Sequence, residues 1–120
     1  MVSELALKRV YAPADDGDGF RVLVDRLWPR GLSKAAARVD LWAKEVAPSD
    51  ELRRWFGHEA SKWEAFRQRY AQELAQPDKA AAVAALRQTL SAHHKVTLLY
   101  AAHDEAHNNA VVLQQMLRSR

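Results

Sequence analysis

The segment Phe20-Arg21-Val22-Leu23-Val24-Asp25 constrains the fold most. Its apolar residues run together instead of alternating with polar ones, which suits a strand buried on both faces. Lys95 to Ala102 carries a second run of this kind in Val96, Leu98, Leu99 and Tyr100. Leu5 to Tyr11 reads as a first strand, closed by Pro13. Strands buried on both sides need helices above and below them, and the rest of the chain is patterned to supply helices.

Ser33 is placed to cap a short helix through Ala35–Ala37. Asp40 to Val46 is ambiguous, although Leu41, Trp42 and Val46 fit a short strand. Ser49 is a clear N-cap, followed by Asp50 and Glu51 where negative charge suits the helix dipole. Leu52, Trp55 and Phe56 form that helix's apolar stripe, and Gly57 ends it. A second helix is expected from about Glu59 to Ala75. Trp63, Phe66, Tyr70 and Leu74 share one face of it, and Pro77 breaks it. A third, from about Asp78 to Ala92, offers Val83, Leu86 and Leu90 to the core. The last helix is expected to start near Asp104, with Ala106, Ala110, Leu113 and Leu117 on one face. This order predicts an α/β fold: a single three-layer domain over residues 1–120, with a small, mostly parallel sheet flanked by helices.

Composition narrows the function classes. The chain is 48% hydrophobic and 28% charged, as in an ordinary globular protein. Its net charge of +3 is spread evenly, without the basic tail or stripe of a typical nucleic-acid binder. There is no cysteine, so disulfides, thiolate metal sites and thiol nucleophiles are all excluded. No apolar run approaches the roughly 18 residues that span a bilayer, and Met1 to Val10 lacks a signal-peptide core. The expectation is a cytoplasmic protein without a membrane partner. Asp15-Asp16-Gly17-Asp18-Gly19 reads as a solvated turn, too short for a calcium loop and without its distal glutamate.

Two constellations carry candidate chemistry. In the first, the second strand stops at Asp25-Arg26 and passes through Trp28-Pro29-Arg30-Gly31 to Lys34. If the second and last strands are parallel neighbours, their C-terminal ends open onto one edge, where open α/β sheets bind ligands. Arg26, Arg30 and Lys34 suit phosphate or carboxylate, Trp28 suits a pocket wall, and Asp25 suits proton transfer. A structural ion pair closing the loop is the competing reading. In the second, His103-Asp104-Glu105-Ala106-His107-Asn108-Asn109 follows the last strand. Asp104 is expected to cap the helix, with His107 and Asn108 in its first turn, able to reach the sheet edge. Two histidines four apart also suggest a helical zinc pair. The match is poor, and only two ligands are evident where zinc needs three. Of the tryptophans, Trp55 and Trp63 read as core with Phe66 and Tyr70, while Trp42 stays open. Lys44 and Arg53 are by default surface charges.

The run Leu23 to Lys34, with Lys44, Ala47-Pro48-Ser49 and Leu98 to Asp104, resembles the YeaO-like family of small bacterial proteins, domain-of-unknown-function family 488. The resemblance covers about Arg9 to Leu117, and Asp25-Arg26-Leu27-Trp28-Pro29-Arg30-Gly31 is its specific part. It raises Lys44 and Arg53 modestly as supporting residues, and it carries no established activity. Distantly similar, longer proteins hold a cysteine at about Ala101-Ala102 and a His-Arg pair where this chain has Asn108-Asn109. Whatever thiol chemistry those relatives run, this chain cannot run it.

The reading is therefore a binder of a small anionic ligand, phosphorylated or nucleotide-like, at the C-terminal edge of the sheet. Arg26, Trp28, Arg30, Lys34 and Asn108 would bind it. Asp25, Asp104 and His107 are the groups able to move protons if hydrolysis or group transfer occurs. No cofactor or metal is called for. The rivals are a nucleic-acid accessory protein, a metal-dependent enzyme using His103 and His107 with Asp25 or His58, and a ligand-free interaction module.

Overall fold

The computed structural model describes residues 4–118. Four strands, β1 (Glu4–Arg9), β2 (Phe20–Leu23), β3 (Leu41–Trp42) and β4 (Lys95–Tyr100), pair in the order β1-β4-β2-β3. Every pairing is parallel, so the mostly parallel sheet is wholly so. β4 is the central strand: Leu99 stands level with Lys8 on one side and with Leu23 on the other.

Both faces are covered, and unequally. Val22, Val24, Val96, Leu98 and Tyr100 point into the larger core. There they meet α2 (Asp50–Phe56), α3 (Trp63–Leu74), α4 (Pro77–Leu90) and α5 (Asn109–Arg118) through residues such as Leu52, Phe66, Tyr70, Leu86 and Leu113. The alternate residues Leu23 and Leu99 point the other way, towards Val10 and the four-residue helix α1 (Lys34–Ala37), with Trp28, Leu32 and Trp42 filling in. The unbroken apolar runs in the sequence thus reflect two burials on alternate sides.

The helix signals act locally as their chemistry requires. Ser33 Oγ accepts from Ala36 N, and Ser49 Oγ accepts from Leu52 N at 3.1 Å. Gly57 closes α2 in the left-handed region at φ 53°, and Pro77 is the first residue of α4, where its missing N–H costs nothing. Asp40 to Val46 resolves into β3 and a 3-10 turn, Lys44–Val46.

Two expectations need correction. The last helix begins at Asn109, five residues past Asp104. Asp104 instead caps a tight turn, its Oδ1 accepting from the N–H groups of Ala106 and His107. The helix cap is Asn108, whose Oδ1 accepts from Val111 N at 3.1 Å. The Asp15–Gly19 loop is also no mere solvated turn. Asp18 is buried and bonded to Lys8 Nζ at 3.0 Å and to Arg21, itself only 3% exposed in the middle of β2.

Candidate functional site

The connections leaving β4 and β2 diverge. α5 returns over β1, where Gln114 Nε2 donates to Leu5 O at 2.8 Å, whereas β2 leads through α1 to β3 on the opposite edge. The edge beyond the ends of β4 and β2 is therefore the switch point of the sheet, the position where open parallel sheets form a ligand crevice.

Asp25 stands at that switch point, just past the end of β2. Its Oδ2 accepts from Ala101 N at 2.9 Å and its Oδ1 from Asn109 Nδ2 at 3.2 Å, so one carboxyl ties the ends of both strands to the start of α5. The same amide of Asn109 donates to Val24 O, and the Trp42 indole donates to Asp25 O. Burial raises the pKa of Asp25; the bonds from Ala101 and Asn109 and the positive charges of His58 and Arg53 offset part of that rise. Behind it, the fully buried Tyr70 donates to Val46 O, and burial holds its hydroxyl well above its ordinary pKa.

The rim on the α5 side holds Asp104 and His107. Asp104 Oδ2 lies 2.9 Å from His107 Nδ1, and the imidazole meets the Trp63 ring edge-on at 5.2 Å between centroids. The bond from His107, with the turn N–H groups, keeps the Asp104 carboxyl below its ordinary pKa. This is a carboxylate-oriented imidazole, a group suited to holding or moving a proton. His58 stands just beyond α2 with φ at 60°, a left-handed conformation rare for a side chain with a Cβ.

The cations expected to act together do not converge. Arg26 turns towards α2, its Nε donating to Pro48 O at 3.1 Å. Arg30 and Lys34 sit with the loop and helix that cover the other face. There Tyr11 Oη donates to Arg30 O, and the Trp28 indole donates to Leu32 O while packing edge-on against Trp42. Trp28 is thus a wall of the smaller core rather than of the crevice. Asn108 is 2% exposed and spent structurally, donating to Asp104 O while it caps α5. Its neighbour Asn109 is the residue that reaches Asp25, a one-position shift that follows from the late start of α5.

Charge pairing separates this edge from the rest of the sheet. Lys8 and Arg21 share Asp18, Arg38 faces Asp16, and Lys95 faces Glu4. No carboxylate meets Arg9, Arg26, Arg30, Lys34 or Lys44 among the described residues. Arg9, at the end of β1, donates instead to the carbonyls of Ala101 and Ala102 at 2.9 Å, and Lys44 lies 4.8 Å over the Trp42 ring. The sequence reading passed over Arg9, although a cation closing a first strand is the same signal that singled out Arg26. Among the described residues, no three His, Asp or Glu side chains converge as metal ligands.

Residues 4–120 match a protein-family profile described as the inactive DUF488-N3 subclade, DUF488-N3i. The chain belongs to that family. It is 45% identical over 112 residues to the uncharacterized protein YeaO of Escherichia coli K12, covering 93% of this chain and 95% of that protein. It is 43% identical over 122 residues to the uncharacterized protein Rv3073c of Mycobacterium tuberculosis, covering both chains fully. No solved structure matches it. The YeaO-like resemblance of the Asp25–Gly31 run is thus a family membership that spans nearly the whole chain. No helix among the described residues is long and apolar enough to cross a membrane.

Proposed function

We propose that this DUF488-N3i protein binds a small anionic ligand, phosphorylated or nucleotide-like, in the crevice beyond β4 and β2, and binds it without turnover. One observation carries the reading. Among the described residues, Arg9 at the end of β1 and Arg26 and Lys44 past the ends of β2 and β3 have no carboxylate partner, while the other cations of the sheet are paired. With strands about 4.8 Å apart, these ends span roughly 14 Å, which suits a phosphorylated metabolite better than a macromolecule. Arg30 and Lys34, on the second face, would contribute at longer range. Asp25, Asp104 and His107 would position the ligand and hold protons near it.

Two features favour binding over catalysis. The subclade is described as inactive, and the strand end where distant relatives place a cysteine is Ala101-Ala102 here. A nucleic-acid role would need exposed stacking surfaces, yet Trp28 and Trp42 pack on one another with both indole N–H groups bonded inward.

The test is a thermal-shift screen of phosphorylated metabolites and nucleotides on wild type and on Lys44→Ala/Arg30→Ala, both of which positions are exposed. A ligand at about 100 times its Kd should stabilise the wild type by about 2.7 kcal/mol, or roughly 10 °C. Reduced stabilisation in the double variant would support the site, and silence across the panel would defeat it.

A further inference from the structure

The sheet edge proposed to take an anion carries a carboxyl group, and that carboxyl is held by hydrogen bonds. Both oxygens of Asp25 are held, Oδ2 by Ala101 N at 2.9 Å and Oδ1 by Asn109 Nδ2 at 3.2 Å. The backbone of Asp25 is held as well, since its carbonyl accepts from the Trp42 indole at 2.8 Å. Swinging the side chain aside to admit an anion would break both bonds. A change in its charge relieves the repulsion without that loss. An ionised carboxylate offers an incoming oxyanion nothing but acceptors, whereas a protonated one offers an O–H donor.

We propose that Asp25 is a proton-linked gate on this site: the oxyanion of the ligand binds as Asp25 takes up one proton, which it then donates to the ligand as a hydrogen bond. The inference rests on the anion-binding reading and adds a regulatory property to it. Most of the groups that face Asp25 favour its ionised form and offset part of the rise that burial causes. Arg53 of α2 and His58 beyond it bring positive charge, Arg26 follows directly in the chain, and Tyr70 of α3 stays protonated. Asn109 of α5 and Ala101 at the end of β4 supply neutral donors. Against them, burial raises the pKa of the carboxyl, which eases the uptake of a proton. The two histidines named at this edge, His58 and His107, are replaced so that the carboxyl can be read alone.

The experiment uses sulfate, whose charge does not change over the range needed. Calorimetric titrations at constant ionic strength compare a His58→Gln/His107→Gln chain with the same chain carrying Asp25→Asn. One linked proton limits the change in Kd to tenfold per pH unit. With Asp25 present, sulfate should bind at least about tenfold more tightly at pH 5 than at pH 7.5. The Asp25→Asn chain should bind at pH 7.5 as tightly as the Asp25 chain does at pH 5, and its Kd should be flat. An Asn variant that binds no more tightly and keeps the pH slope would overturn the gate while leaving the anion site standing. Absence of sulfate binding by these two chains and by the wild type at every pH would overturn the site and the gate together. Should the Asn variant fail to fold, proton uptake by the Asp25 chain, read from titrations in two buffers of different ionisation enthalpy, decides. Uptake of up to about one proton per sulfate supports the gate, and zero uptake from pH 5 to pH 7.5 overturns it.

Discussion

Asp18 and Arg21 set what the second face of the sheet tolerates. Arg21 is 3% exposed, and its guanidinium is satisfied by Asp18, the carbonyl of Ala37 at 2.7 Å and that of Arg38 at 3.1 Å. Removing the carboxylate strands a buried cation, so Asp18→Ala should cost about 3–5 kcal/mol in urea unfolding. Replacing Arg21 and Asp18 together by apolar residues of similar volume should cost far less. The pair also predicts a pH dependence. Burial alone would raise the Asp18 pKa, but the bonds from Lys8, Asp15 N and Arg21 outweigh it and hold the group below 3.8. A depressed folded-state pKa means stability that is intact above the unfolded value and lost as the pH falls through the folded one. The stability gap between wild type and Asp18→Asn should thus be widest near neutrality and shrink below about pH 4. None of this was legible beforehand, because an acid-glycine loop looks the same whether or not a distant arginine points at it. Arg21 inside an apolar run was the available signal: a charge within a doubly buried strand needs a partner. Asp25 was legible as a site residue because it interrupts the strand. The exchange of Asn108 for Asn109 was not, since adjacent identical residues differ only in where the helix starts.

The connections between elements rest on a few contacts that sequence patterns only half reveal. Ser49 was readable as the cap of α2, but not its second task. Glu73 of α3 accepts from Ser49 N at 2.9 Å and from Ser49 Oγ at 2.6 Å, so the cap also locks α2 to α3. Ser49→Ala should cost about 1–2 kcal/mol, the ordinary worth of a cap, and a double-mutant cycle with Glu73→Ala should show a coupling above about 0.5 kcal/mol. The start of β2 depends on Gly19, at φ 68°, where an added Cβ would stand 2.4 Å from Lys95 O. Neither the dihedral nor the neighbouring strand's backbone can yield cheaply. Gly19→Ala should lower the melting temperature by roughly 10 °C or more, as a loss above about 2 kcal/mol implies in a domain this small. The strands and long helices were legible because period and caps are local. The late start of α5 was not, because Asp104 caps a turn with the same chemistry that caps a helix.

The molecule is built around one sheet with two very unequal cores. Among the described residues, eighteen buried ones make up the larger core, whereas four, Val10, Leu23, Ala37 and Leu99, make up the smaller, closed by the short helix α1. That asymmetry raises the question of whether the thin layer unfolds by itself. The sheet argues against it. Leu23 and Leu99 of the small core alternate along β2 and β4 with Val22, Val24, Leu98 and Tyr100 of the large one, so neither face can be lost without disrupting strands that the other needs. The chain carries its own reporters: Trp28 and Trp42 pack on the small core, and Trp55 and Trp63 on the large one. Two variants, one retaining only Trp42 and the other only Trp63, with the remaining tryptophans changed to Phe, isolate the two signals. Equilibrium urea unfolding followed by fluorescence should give coincident midpoints and slopes in the two variants once each is normalised to its own far-UV transition. A Trp42 transition that precedes loss of secondary structure would show the thin layer opening ahead of the sheet. Arg30 and Lys34 would then lie on a surface that rearranges independently of the crevice. Coincidence would mean that the crevice at the end of β2 and β4 is held from both sides at once, which is what a fixed Asp25 requires.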